Sequence, residues 1–128
     1  MRTILVVDDD PWVRVLARDV LAGEGYRVLE AADGQDAIRV AAEHPGPIHM
    51  LLTDVVMPGM NGCELAAGLV PLLSGLKVMF MSAYDRDFLV NKGLNPIGPV
   101  ITKPFTTEYL SRRVRMVLDR QPEATPAR

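Results

Sequence analysis

Three aspartates, one serine and one lysine stand where apolar runs of this sequence stop. Asp8 and Asp9 close Thr3 to Val7, Asp54 closes the run from Met50, Ser82 closes Leu76 to Met81, and Lys103 follows Val100 to Thr102. Taken singly, each has an ordinary use: an aspartate opens a turn, a serine caps, a lysine is a solvated charge. Taken together they suit one chemistry. Three carboxylates in one pocket resist joint ionisation, because like charges and burial both raise their pKa values. A hard divalent cation removes that conflict. Mg²⁺ binds through one or two carboxylates and keeps several waters, which suits Asp9 and Asp54 directly and Asp8 partly through water. Beside such a cation and Lys103, Asp54 is expected to be an ionised nucleophile. The Ser82 hydroxyl is then a hydrogen-bond donor to an arriving group, and the set is fitted to forming an aspartyl phosphate.

These residues need elements that bring them to one edge. Met50-Leu51-Leu52 has no polar alternation and is followed by Pro58, Gly59 and Gly62, so it reads as a strand covered on both faces that ends in a loop. Thr3 to Val7, Tyr26 to Ala31, Leu76 to Met81 and Val100 to Thr102 read as four further strands. Between them, Val13, Leu16, Ala17, Val20 and Leu21 recur at helical spacing after Pro11, and Gly23 and Gly25 end that helix. Ala37, Ile38, Ala41 and Ala42 form the expected buried face of a second helix. Cys63 to Val70, Asp85 to Lys92 and a last helix capped by Thr106 complete five, the last burying Leu110, Val114, Val117 and Leu118. Strands alternating with helices predict an α/β, doubly wound five-stranded parallel sheet with helices on both faces. Pro99 cannot donate to a ladder, so the fifth strand belongs at a sheet edge. In such sheets ligands bind at the carboxyl ends of the strands, where all five polar residues fall.

Length and charge narrow the class. The 128 residues suit one domain, read as 1–120 with a loose tail over 121–128, and no apolar run approaches the roughly 18 residues needed to span a bilayer. The short apolar start lacks a cleavage signal, so a cytoplasmic protein without membrane insertion is expected. Fourteen basic and sixteen acidic residues give a formal charge of −2, with no field that calls for nucleic acid. Cys63 has no partner for a disulfide and reads as a half-buried packing residue; His44 and His49 have no second ligand nearby. Neither a Gly-x-Gly-x-x-Gly run nor a phosphate loop follows any strand.

With Asp8-Asp9, Asp54 and its Met57-Pro58-Gly59-Met60-Asn61-Gly62 loop, Ser82-Ala83 and Lys103-Pro104-Phe105 in this order, residues 3–119 resemble the receiver domain of two-component response regulators. In wording the chain is similar to receivers of hybrid histidine kinases. The resemblance implies a flavodoxin-like strand order 2-1-3-4-5, Asp54 as phosphoacceptor, and Asp9, Asp54 and the Val56 carbonyl as Mg²⁺ ligands. It also implies Ser82 as switch hydroxyl, Lys103 as phosphate-binding lysine, and a cis bond between Lys103 and Pro104. The implied partner is a histidine kinase or histidine phosphotransfer protein, and the implied turnover is self-phosphorylation and autodephosphorylation only. Val100 departs from the family pattern, which has an aromatic residue three before the lysine, so the usual rotamer switch is missing. Two other readings exist. A phosphatase using Asp8-Asp9-Asp10 leaves the Asp54 loop unexplained and lacks a cap domain; a non-phosphorylated interaction module usually loses an acid or the lysine, and all are kept here.

Overall fold

The computed structural model describes residues 1–120; the tail expected over 121–128 lies outside the described residues. In chain order the elements are β1 (Thr3–Val7), α1 (Pro11–Gly23), β2 (Arg27–Ala31), α2 (Gly34–Glu43), β3 (Met50–Asp54), α3 (Gly62–Leu69), β4 (Lys77–Ser82), α4 (Arg86–Asn91), β5 (Val100–Thr102) and α5 (Thr107–Asp119). The five strands form one parallel sheet, as the alternation of strands and helices predicts, in the order β2-β1-β3-β4-β5 that the resemblance implies. β5, preceded by Pro99, lies at the edge.

Alternate residues of the central strands face opposite layers, as the two-residue period of a strand requires. Leu5, Val7, Leu51, Val78 and Phe80 pack with Ala37, Leu65 and Leu89 from α2, α3 and α4. Ile4, Val6, Met50, Leu52, Met79, Met81 and Ile101 pack with Ala17, Leu21, Leu110 and Val114 from α1 and α5. Among the described residues, no helix is long and apolar enough to cross a membrane.

The helix ends obey local chemistry. Asp10, Asp33, Asn61, Asp85 and Thr106 each cap a helix by accepting a backbone N–H inside it, and Asn61 and Glu64 do so reciprocally. The expected faces hold at Val13, Ala17, Val20 and Leu21 of α1 and at Ala37 and Ala41 of α2, and miss at three residues. Leu16 is 42% and Ile38 41% exposed, and Ala42 is exposed, while Val40 and Ala41 pack on the core. In α2 the buried stripe starts at Gly34, seated under Met60, and steps by three to Ala37 and Val40, which turns Ile38 outward.

Candidate functional site

Strand order reverses between β1 and β3, and the crevice at their carboxyl ends collects the five polar residues. Asp8 and Asp9 follow β1, Asp54 is the last residue of β3, Ser82 the last of β4, and Lys103 comes directly after β5. Asp8, Asp54 and Ser82 are buried, whereas Asp9 is exposed. The Lys103 ammonium sits 2.8 Å from Asp8 Oδ2 and 3.3 Å from Asp54 Oδ2, bridging the two buried acids. The Lys103-Pro104 bond is cis.

Asp8 is held on every side. Its amide donates to the Ala31 carbonyl at 3.3 Å, its Oδ1 accepts the Asp10 amide at 2.9 Å, and its Oδ2 accepts from Lys103. Asp54 is fixed by its strand and by the loop leading into α3. The Val55 amide reaches the Met81 carbonyl, and the Gly62 amide closes the loop onto the Val55 carbonyl at 2.8 Å. A Cβ at Gly62 would stand 2.1 Å from the Asp54 carbonyl oxygen, so only glycine lets α3 start there. Ser82 Oγ accepts the Tyr84 amide at 2.9 Å, and its carbonyl accepts the Lys103 amide at 2.7 Å, tying β4 to the lysine.

The electrostatics are those of a crowded acid site. Burial first, and the neighbouring Asp8 charge second, push the Asp54 carboxyl up to about 6 against the opposing pull of Lys103. Burial alone would lower the Lys103 ammonium. The hydrogen bond to Asp8 and the charges of Asp54 and Asp8 outweigh it and raise the group above the usual lysine range.

One carboxylate oxygen from each of Asp8, Asp9 and Asp54 lies within 4.8 Å of the others. This donor set, all hard oxygen and more negative than one lysine neutralises, fits a hard dication such as Mg²⁺. No described residue donates a backbone hydrogen bond to the Val56 carbonyl. Neither histidine joins the cluster; His49 Nδ1 instead accepts the Thr3 amide at 2.8 Å. Cys63 is half-buried against the core, and burial pushes its thiol up, away from reactivity.

Around the mouth of the pocket the surface is apolar. Val13 and Leu16 of α1, with Ala83, Pro104 and Phe105, line a hollow of about 390 Å³ beside Lys103, and Trp12, the residue before Val13, is 82% exposed. Sequence reasoning placed all five polar residues at one edge. It missed Arg14, whose Nη1 donates to the Asp8 carbonyl at 2.7 Å, since an arginine on a helix carries no signal of where its guanidinium goes.

A response regulator receiver domain model matches residues 4–115. The sensor kinase CckA of Brucella abortus is 33% identical over 120 residues, which are 93% of this chain and 13% of that protein. Across the curated relatives it matches, the chain spans about half the length or less. Among solved structures, the receiver domain of the hybrid histidine kinase CckA is 36% identical with a TM-score of 0.76, covering 91% of this chain and 98% of that one. TrrA of Thermotoga maritima, solved in complex with Mg(2+)-BeF, is 28% identical with a TM-score of 0.74, covering 91% of this chain and 99% of that one.

Proposed function

The chain belongs to the response regulator receiver domain family, and from that premise we propose that it accepts one phosphoryl group on Asp54, from a histidine kinase or histidine phosphotransfer protein, in a Mg²⁺-dependent reaction. The observation that carries the reading is Lys103 bridging Asp8 and Asp54 while Asp9 completes a carboxylate cluster. The TrrA complex with Mg(2+)-BeF supports the same reading on a related chain.

Asp9, Asp54 and the Val56 carbonyl would hold the cation, with Asp8 acting partly through water. Bound there, Mg²⁺ supplies charge neutralisation for the acids and for phosphoryl oxygens. The rest belongs to the chain. Asp54 Oδ forms the new bond to phosphorus as the donor's P–N bond, or the P–O bond of a small acyl phosphate, breaks and its leaving group departs with the electron pair. Lys103 Nζ, already 3.3 Å from Asp54 Oδ2, turns to the incoming oxygens. The Ser82 hydroxyl accepts from the Tyr84 amide and keeps its own proton to donate to the phosphoryl group. Later attack of water on the acyl phosphate returns the carboxylate, so self-phosphorylation and autodephosphorylation are the only turnover proposed.

The partner meets the apolar rim. Leu16 and Phe105 line a hollow with Lys103, and exposed Trp12 precedes Val13 of the same wall, a greasy surface that a protein donor can cover, whereas a small acyl phosphate reaches Asp54 without it. We place the protein in the cytoplasm, where such donors and Mg²⁺ are, and assign it no nucleic-acid contact of its own. The test is chemical. After incubation with acetyl phosphate and Mg²⁺, borohydride reduces an aspartyl phosphate to homoserine, and peptide mass spectrometry should find that change at position 54. Reduction at Asp8 or Asp9 instead would overturn the assignment.

A further inference from the structure

Each acid of the cluster is held in a different way. Asp8 is fixed through its side chain by the Asp10 amide and Lys103, and Asp54 by its strand and Lys103. Asp9 is exposed, and among the described residues no ion pair holds its carboxylate. Only its backbone can aim it.

That backbone is clamped from both sides. The Asp10 amide, on the peptide that follows Asp9, is bound to Asp8 Oδ1 at 2.9 Å. The peptide that precedes Asp9 carries the Asp8 carbonyl, and Arg14 Nη1 donates to it at 2.7 Å. A planar peptide held at its carbonyl has its orientation fixed, and with it the direction in which the next residue starts. Arg14 is itself braced. Its Nε lies 3.4 Å from Glu30 Oε1 on β2, and Glu30 Oε2 lies 3.2 Å from Arg18 Nη1 one turn further along α1. Arg14 thus joins the end of β1, the first turns of α1 and β2 around a single carbonyl. Its charge cannot be what the site gains, because a cation near three carboxylates opposes a second one.

We propose that Arg14, braced by Glu30, is a positioning residue that presents the Asp9 carboxylate to the divalent cation. The inference rests on the Mg²⁺ assignment above. It makes a prediction opposite in sign to plain electrostatics: deleting the positive charge at Arg14 weakens Mg²⁺ binding.

Calorimetric titration of the whole protein with Mg²⁺ tests this. Arg14→Ala should raise the dissociation constant about tenfold, the lower end of what losing an outer partner of a metal site costs. Without Mg²⁺, the Asp9 and Asp10 amides of this variant should exchange faster with solvent than in wild type. Phosphorylation by acetyl phosphate should show the half-saturating Mg²⁺ concentration rising by more than the plateau rate falls. Should Arg14→Ala not fold, Arg14→Lys keeps the charge but cannot reach Asp8 and Glu30 together, and should weaken binding roughly threefold on the same ground. Unchanged or tighter Mg²⁺ binding in the folded variant overturns the proposal, whatever happens to its melting temperature. Asp9→Ala separates the two levels. If it abolishes binding while the Arg14 variants do not weaken it, the positioning role alone is wrong; if Asp9→Ala leaves the affinity untouched, the metal assignment falls and takes the Arg14 role with it.

Discussion

The acid corner and the α4 corner of this sheet are built on opposite principles. Around Asp8, Asp54 and Lys103 the polar groups are bound to one another and largely buried, and Gly62 lets α3 begin against the Asp54 carbonyl with no room for a methyl group. α4 is a six-residue helix with one buried residue, Leu89, and it ends at Gly93 with φ +81° and open space around it. Tyr84, just before the helix, stacks on its Phe88, ring centroids 4.4 Å apart, with the Lys92 ammonium 5.4 Å from the centroid of the Phe88 ring. Geometry that serves chemistry is over-determined, and a surface with few buried anchors is the easier one to move. A hydrogen bond from the Tyr84 amide to Ser82 Oγ links the two.

The largest contrast is between two glycines. Gly62→Ala places a Cβ 2.1 Å from the Asp54 carbonyl oxygen and should cost roughly 3 kcal/mol or more, by forcing backbone apart in a packed site. Gly93→Ala meets no atom and should cost only about 1 to 2 kcal/mol, the strain of a left-handed conformation. Urea unfolding of both variants checks this, and equal losses would erase the distinction.

The acid corner should also carry a pH signature. Without Mg²⁺, the folded state holds the Asp54 proton up to about pH 6, above the ordinary value of 3.8, so folding takes up a proton between the two. Stability from this group is therefore full below about pH 4 and lost as pH rises through about 6, a change of roughly 2 to 3 kcal/mol. Asp54→Asn should flatten that slope and be the more stable protein at pH 7. Added Mg²⁺ at ten times its dissociation constant should restore about 1.4 kcal/mol to wild type. An Asp54→Asn variant with the wild-type slope would assign the effect elsewhere.

A smaller effect separates the pocket from its rim. Trp12→Ala should slow transfer from a phosphohistidine protein about tenfold, as loss of an exposed tryptophan anchor does, and leave uptake from acetyl phosphate unchanged. The smallest effect sits at α4. Val100 has neither ring nor hydroxyl and is half-buried against the core, so beryllium fluoride should shift the amides of residues 82–88 through Ser82 and Tyr84 and leave β5 and α5 nearly still. Large contiguous shifts across β5 and α5 would mean that the two corners are coupled by another route.

The same division separates the features legible in the sequence from those that were not. Strands that run apolar from end to end and stop on Asp54 or Ser82 announce both the sheet and its working edge, because burial on two faces leaves no polar alternation to confuse the reading. The starts of the first and last helices were equally plain, marked by Pro11 and by the Thr106 cap. Ile38 misled because periodicity gives a stripe whose phase is set by tertiary contacts, here by Gly34 under Met60, and Leu16 misled because it sits at the exposed margin of an otherwise correct stripe. Arg14 was silent, and Gly62 announced a loop but not the contact that requires it. A guanidinium that reaches a carbonyl six residues back, and a glycine required by a carbonyl eight residues back, are facts of three-dimensional approach.

The central claim is that one carboxylate, Asp54, takes the phosphoryl group with help from Lys103 and the acid cluster. Intact mass after incubation with acetyl phosphate and Mg²⁺ tests it most directly. Wild type should gain one phosphoryl group, lose that gain when a chelator replaces Mg²⁺, and gain none as Asp54→Asn. Stoichiometric uptake that survives in Asp54→Asn would contradict the account.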